Sequence, residues 1–173
     1  MKIGLLIFMI LLISGCSSKN EKTFIKLFKA SKTASRNLQK TEKIQLIDPQ
    51  EGTTRVLLTS TYVSEKQISK KMKKDETFII GLYVEDNETE EVSLETFSLR
   101  LNRKVPKSIK ALKNTSKLLN NIPFISPWTQ FYLVHFPYTS HKKMTFEIYH
   151  GVYGKGTAEF AKVAKFVLEK KAY

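Results

Sequence analysis

"TQFYLVHFPY", Thr129–Tyr138, is a short run dense in aromatic and β-branched side chains, and "KMTFEIYHG", Lys143–Gly151, alternates apolar and polar ones after the linker Thr139–Lys142. β-Branched and aromatic residues at period two are the mark of half-buried strands. Working outward, "FSLRL" (Phe97–Leu101) turns Phe97, Leu99 and Leu101 one way and Ser98 and Arg100 the other. "TFIIGLYVED" (Thr77–Asp86) places Phe78, Ile80, Leu82 and Val84 on one face. "TRVLLTSTYV" (Thr54–Val63) and the period-two stretch from Lys43 complete the early part of the chain, with a turn at "DPQEG" between them. "SEKQISKKMKKDE" (Ser64–Glu76) reads as a polar connector, and "EDNETEEVSLE" (Glu85–Glu95) as a solvated connection.

The C-terminal part is less regular. Pro106, Pro123 and Pro127 prevent any long element between residues 104 and 128. Ile109 with Leu112, and Leu118 with Leu119, predict one or two short helical turns there. "VYGKGT" (Val152–Thr157) reads as a turn. "GTAEFAK" predicts a last strand to about Lys162 beside 143–151, followed by a short helix or ordered tail. Six or seven short strands without repeated βα units predict a mainly β chain, an antiparallel immunoglobulin-like β-sandwich. The likeness is architectural, because the Cys–Trp–Cys signature is absent.

Ahead of the strands, "EKTFIKLFKASKTASRNLQK" repeats Phe24, Leu27, Phe28, Ser31, Ala34 and Leu38 at helical spacing, which predicts an amphipathic helix from about 22 to 38. It either docks on the domain or lies on an anionic leaflet. At the extreme N-terminus, Met1-Lys2 precedes the apolar run Ile3–Ile13, too short to span a bilayer and of the length of a signal-peptide core. Ser14, Gly15 and Cys16 close it, and Cys16 is the single cysteine.

"ISGC" resembles the lipobox of bacterial lipoproteins. The resemblance covers the leader and implies cleavage between Gly15 and Cys16, a diacylglycerol thioether on Cys16, and an acylated new amine. A thiolate delivered to the membrane surface is the right nucleophile for that bond, and two or more acyl chains hold stably where one does not. Tyr153-Gly154 and Phe160–Lys162 resemble the closing strand of uncharacterised bacterial lipoproteins, which implies no activity. The expected organisation is therefore a cleaved signal peptide (1–15), a lipid anchor and tether (16–21), an amphipathic helix (22–39) and a β-sandwich domain (40–173). With Cys16 acylated, no disulfide is available to the domain.

Formal net charge is +13. Export makes nucleic acid a poor partner and leaves anionic lipid, glycan or an acidic protein. Between Thr96 and Phe146 no acidic residue occurs, while Arg103, Lys104, Lys107, Lys110, Lys113 and Lys117 crowd one proline-bounded stretch. These six and Trp128 are the candidate binding residues. Trp128 belongs to an aromatic cluster with Phe124, Phe131, Tyr132, Phe136 and Tyr138. On a strand, Tyr132, Phe136 and Tyr138 share one face, and Phe131 with Leu133 the other. One face is core; the second is covered, by the N-terminal helix, or open to a partner.

Three histidines (His135, His141 and His150) without other ligands predict no metal site. "DNETEE" lacks the glycine and later oxygens of a calcium loop. No nucleophile, phosphate-loop or dinucleotide motif occurs, so no catalytic residue and no cofactor is expected. The sequence reading is a membrane-anchored lipoprotein acting as a non-catalytic binding or assembly component of the cell envelope, with an envelope protein as partner. The outer membrane facing the periplasm is favoured, because no Asp follows Cys16; the cell surface is the other possibility. The alternative reading is a receptor for an anionic lipid or glycan, and an envelope enzyme ranks third.

Overall fold

The computed structural model describes residues 30–63, 75–85 and 92–162. The expected leader, the lipobox with Cys16, the tether and the start of the amphipathic helix lie outside these residues, as does the tail beyond Lys162. The chain divides into two compact units, Met1–Thr33 and Ala34–Tyr173. Of the first, residues 30–33 are described and are helical; in the second, residues 34–38 are helical. Among the described residues no helix is long and apolar enough to cross a membrane.

Eight strands follow among the described residues: β1 (Thr41–Ile47), β2 (Thr54–Val63), β3 (Glu76–Val84), β4 (Ser98–Leu101), β5 (Ser108–Leu112), β6 (Gln130–Phe136), β7 (Lys143–His150) and β8 (Gly154–Ala161). They form a five-stranded sheet in the order β1-β2-β3-β6-β5 and a three-stranded sheet β4-β7-β8. Every pairing is antiparallel. The chain is mainly β, as the alternation predicts.

The two sheets share one hydrophobic core. The five-stranded sheet turns Ile44, Leu46, Val56, Leu58, Phe78, Ile80, Leu82, Val134 and Phe136 inward; the smaller sheet answers with Leu99, Leu101, Met144, Phe146, Ile148 and Phe160. Phe78 stands at the centre. Its ring lies 5.1 Å from Phe160 and 5.7 Å from Phe136, both edge-on, and 6.0 Å from Phe146. Such edge-to-face pairs add to the burial energy because ring edges and faces carry opposite partial charge. Leu94, inside the predicted acidic connection, is fully buried in this core where the chain passes from one sheet to the other.

A second, smaller cluster covers the opposite face of the five-stranded sheet. Val63, Ile79 and Phe131 meet Leu119 and Ile122 from the segment between β5 and β6. Phe131 and Leu133 are thus covered, and the cover comes from that segment. Tyr132 and Phe136 face the main core, whereas Tyr138 lies past the end of β6 and is exposed. β3 is buried on both faces, which explains its nearly unbroken apolar run.

Three sequence expectations are corrected. Ile109–Leu112 is strand β5 and no helical turn, because β6 pairs with it; the turn at Lys117–Leu119 does form, as a 3-10 helix. Gly154 and Gly156 belong to β8, and the turn is 151–153. These glycines are needed because β8 crosses β1: a Cβ on Gly156 would lie 2.4 Å from Ile44 Cγ2, and one on Gly154 2.5 Å from the Ile47 carbonyl oxygen. Glu76 belongs to β3 and is no connector residue. It is 3 % exposed. Its carboxylate accepts Tyr62 Oη–H at 2.8 Å, Thr139 N–H at 3.0 Å and Lys162 Nζ at 2.5 Å. Lys162 also donates to the Thr139 carbonyl and lies 4.4 Å from the Tyr138 ring. Buried charge persists only with such pairing.

Candidate binding groove

A groove of about 800 Å³ opens at the C-terminal end of β5, the edge strand of the larger sheet. Ala111, Lys113 and Asn114 line it from β5 and the residues after it. Gln130 and Tyr132 line it from β6, with Pro127 and Trp128 just before, and Ser93 and Glu95 come from the segment ahead of β4. Leu112 pairs with Phe131 and Ala111 with Tyr132, so pairing across the two strands aligns the walls. Tyr132 Oη donates to Gln130 Oε1 at 2.6 Å.

Trp128 is 78 % exposed, the highest value among the large apolar residues described. A tight turn presents it: Ser126 Oγ accepts Trp128 N–H at 3.3 Å, and the Ser126 carbonyl accepts Thr129 N–H at 3.2 Å. Phe124 and Ile125, four and three residues earlier, are exposed too. Phe124 holds φ +61°, a left-handed conformation that a bulky side chain rarely adopts. Lys43 Nζ sits 3.8 Å from its ring centre, a cation–π contact. Chemically, the groove offers one aromatic platform, amide and hydroxyl groups, one cation and one anion. It can hold a partly apolar ligand and orient it by hydrogen bonds.

Of the seven sequence candidates, two meet here: Trp128 and Lys113. The other basic residues are exposed but spread along the β5 side of the molecule. Arg103 and Lys104 belong to the β4–β5 turn, in which Asn102 and Arg103 both have positive φ and Leu101 and Lys104 exchange backbone hydrogen bonds. Lys104 Nζ reaches the Tyr138 carbonyl at 3.4 Å. Lys107 pairs with Asp75 at 2.5 Å, Lys110 stands in mid-strand, and Lys117 lies in the turn over the second cluster. The basic stretch is therefore spread over the β4–β5 turn, β5 and the segment after it. Tyr132 was singled out by sequence as a member of the aromatic cluster, whereas Glu95, Asn114 and Gln130 were not. Alternation at 130 and 132 marks a shared face, but nothing local brings Ser93 and Glu95 to it.

The histidines stay apart. His135 is buried and shares a hydrogen bond with Thr77 Oγ1 at 3.0 Å. His141 Nδ1 meets Thr139 Oγ1 at 2.9 Å. His150 lies between Phe97 and Tyr153, with centroids 4.7 and 4.8 Å away. Among the described residues no group of three acidic, histidine or cysteine side chains is placed to hold a metal.

Burial pushes the His135 imidazole below its ordinary value of 6.5; Asp75 pulls it up and Lys107 pushes it down again. Burial alone lowers His150. A depressed histidine is neutral in the fold and takes its proton more readily when unfolded. The unfolded chain then binds more protons below pH 6.5, so stability falls as pH drops through that window and is level above it. The urea midpoint is expected to be lower at pH 5 than at pH 7.5, with the gap narrowed in His135→Gln. A gap of the same width in that variant would assign the dependence to other groups.

No family model matches the chain, and neither a curated protein nor a solved structure is significantly similar to it. The reading of the groove therefore stands on its own geometry.

Proposed function

We propose that this chain is a lipid-anchored, non-catalytic binding or assembly component of the bacterial cell envelope, held by Cys16, and that an envelope protein seats against Trp128 in the groove. The observation that carries the reading is the groove itself: an indole left almost bare beside a hollow lined by both polar and apolar side chains, with Phe124 and Ile125 nearby in sequence. Exposed apolar side chains rimmed by polar groups mark interaction surfaces in monomeric proteins. We also read the domain as an immunoglobulin-like sandwich carrying one extra strand. In support, β2-β3-β6-β5 and β4-β7-β8 follow the A-B-E-D and C-F-G orders of that fold, with β1 added at the edge.

The second reading is a receptor for an anionic lipid or glycan, favoured by the exposed row from Arg103 to Lys117. The dispersal of that row, and the pairing of Lys107 with Asp75, make it the weaker of the two.

Cells cross-linked and purified through the native protein give the test, comparing wild type, Trp128→Ala and Lys110→Glu/Lys117→Glu. The groove reading expects one protein partner, lost in Trp128→Ala at unchanged melting temperature. Equal recovery from wild type and Trp128→Ala would move the site elsewhere. A salt-sensitive loss in the lysine variant alone would favour the second reading. A fatty-acid analogue tests the anchor separately: label is expected in wild type and not in Cys16→Ala.

A further inference from the structure

β5 is an edge strand. β6 pairs with one side of it, and among the described residues no strand pairs with the other. Ser108, Lys110 and Ala111 are all exposed, so the open side reaches solvent on both faces. Such an edge presents unpaired backbone N–H and C=O groups to any extended chain. No proline interrupts it, since Pro106 precedes the strand. The edge runs directly into the groove through Ala111, Lys113 and Asn114.

Charge selects the occupant. Lys110 stands in the strand and Lys113 follows it, within a stretch that holds no acid from Thr96 to Phe146; Lys107, ahead of the strand, is already paired with Asp75. Two copies paired antiparallel through β5 would bring these lysines against one another, and like charges placed opposite across strands are destabilising. The same lysines favour an acidic strand.

We propose that β5 accepts an extended, acidic segment of the partner protein as an added strand, with one of its alternate side chains seated in the groove beside Trp128. The proposal rests on the groove reading above and specifies its partner. A strand rises about 3.4 Å per residue, so the five residues of β5 offer about 17 Å of ladder. Side chains of the added strand alternate. Those on the Lys110 side are carboxylates; those on the Ala111 side are apolar or aromatic and reach the indole. Backbone bonds supply affinity and the alternating pockets supply specificity.

Random decapeptides displayed against the full chain in detergent micelles test this, with wild type, Lys110→Glu and Trp128→Ala as baits. Recovered peptides are expected to carry acids at every second position and to bind Lys110→Glu about tenfold more weakly, which corresponds to about 1.4 kcal/mol. N-methylating alternate amides of a recovered peptide is expected to abolish binding in one phase and spare it in the other, because only every second N–H faces β5. Recovery of no peptide, a neutral or basic consensus, or equal tolerance of both methylation phases would overturn strand addition. If only Trp128→Ala weakens binding, strand addition falls and the groove reading stands. Dimerisation of the chain that competes with the peptides would assign the edge to a second copy and overturn the proposal.

Discussion

Replacing Phe78 with alanine is expected to lower the stability of the domain by about 3–5 kcal/mol. Phe78 has no solvent exposure and meets rings from β6, β7 and β8 as well as Tyr62 of β2, 5.2 Å away. Truncation removes the transfer energy of the ring and leaves a cavity that five strands cannot collapse into, because each is pinned by its own ladder. Native domains are stable by only about 5–15 kcal/mol, so much of the fold's margin disappears. Phe78→Leu keeps most of the volume and is expected to cost less than half as much. Urea unfolding of the three proteins checks the order. An alanine variant within about 1 kcal/mol of wild type would mean that Phe78 is not the centre of the core.

Glu76→Ala is expected to cost about 2–4 kcal/mol, more than its place at the start of β3 suggests. The carboxylate is the acceptor for Tyr62, Thr139 and Lys162. Its removal leaves two donors unsatisfied and a lysine without its anion. The Lys162 side chain is 22 % exposed, so its ammonium can turn toward water, which keeps the cost below that of a fully buried orphan. Glu76→Gln retains an acceptor oxygen and is expected to lose less. The double variant Glu76→Met/Lys162→Met, which removes both charges, is expected to recover part of the loss, because paired charges repay their desolvation poorly. If the single alanine variant unfolds at the wild-type midpoint, the network contributes nothing and the carboxylate is merely tolerated.

Strands with one face in the core were legible in the sequence. "FSLRL" and "KMTFEIYH" carry their burial pattern in their own alternation, since a period of two is a local property of extended chain. β5 was not legible. "SIKAL" places Ile109 and Leu112 three apart, which suits a helical turn equally well, and only pairing with β6 decides between them. Glu76 read as the end of a lysine-rich connector because its partners lie 14, 63 and 86 residues away. Gly154 and Gly156 read as turn residues because the β1 atoms they avoid, the Ile47 carbonyl and the Ile44 and Leu46 side chains, are distant in sequence. In the groove, Trp128 and Tyr132 were visible as members of an aromatic cluster and Lys113 as part of a basic run, while Glu95 and Asn114 had no signal of their own.

Sequence by itself determined that this is a mainly β chain with an alternating core, and that its one cysteine follows the apolar run Ile3–Ile13. Both follow from neighbours: alternation and hydropathy are written within a few residues. Tertiary structure decided the rest. The strand orders, the hydrogen-bonded carboxylate of Glu76 and the meeting of residues 93–95, 111–114 and 127–132 at one groove depend on registers between distant segments. Those registers are set when many weak apolar contacts are satisfied together, and no short stretch of this chain contains them.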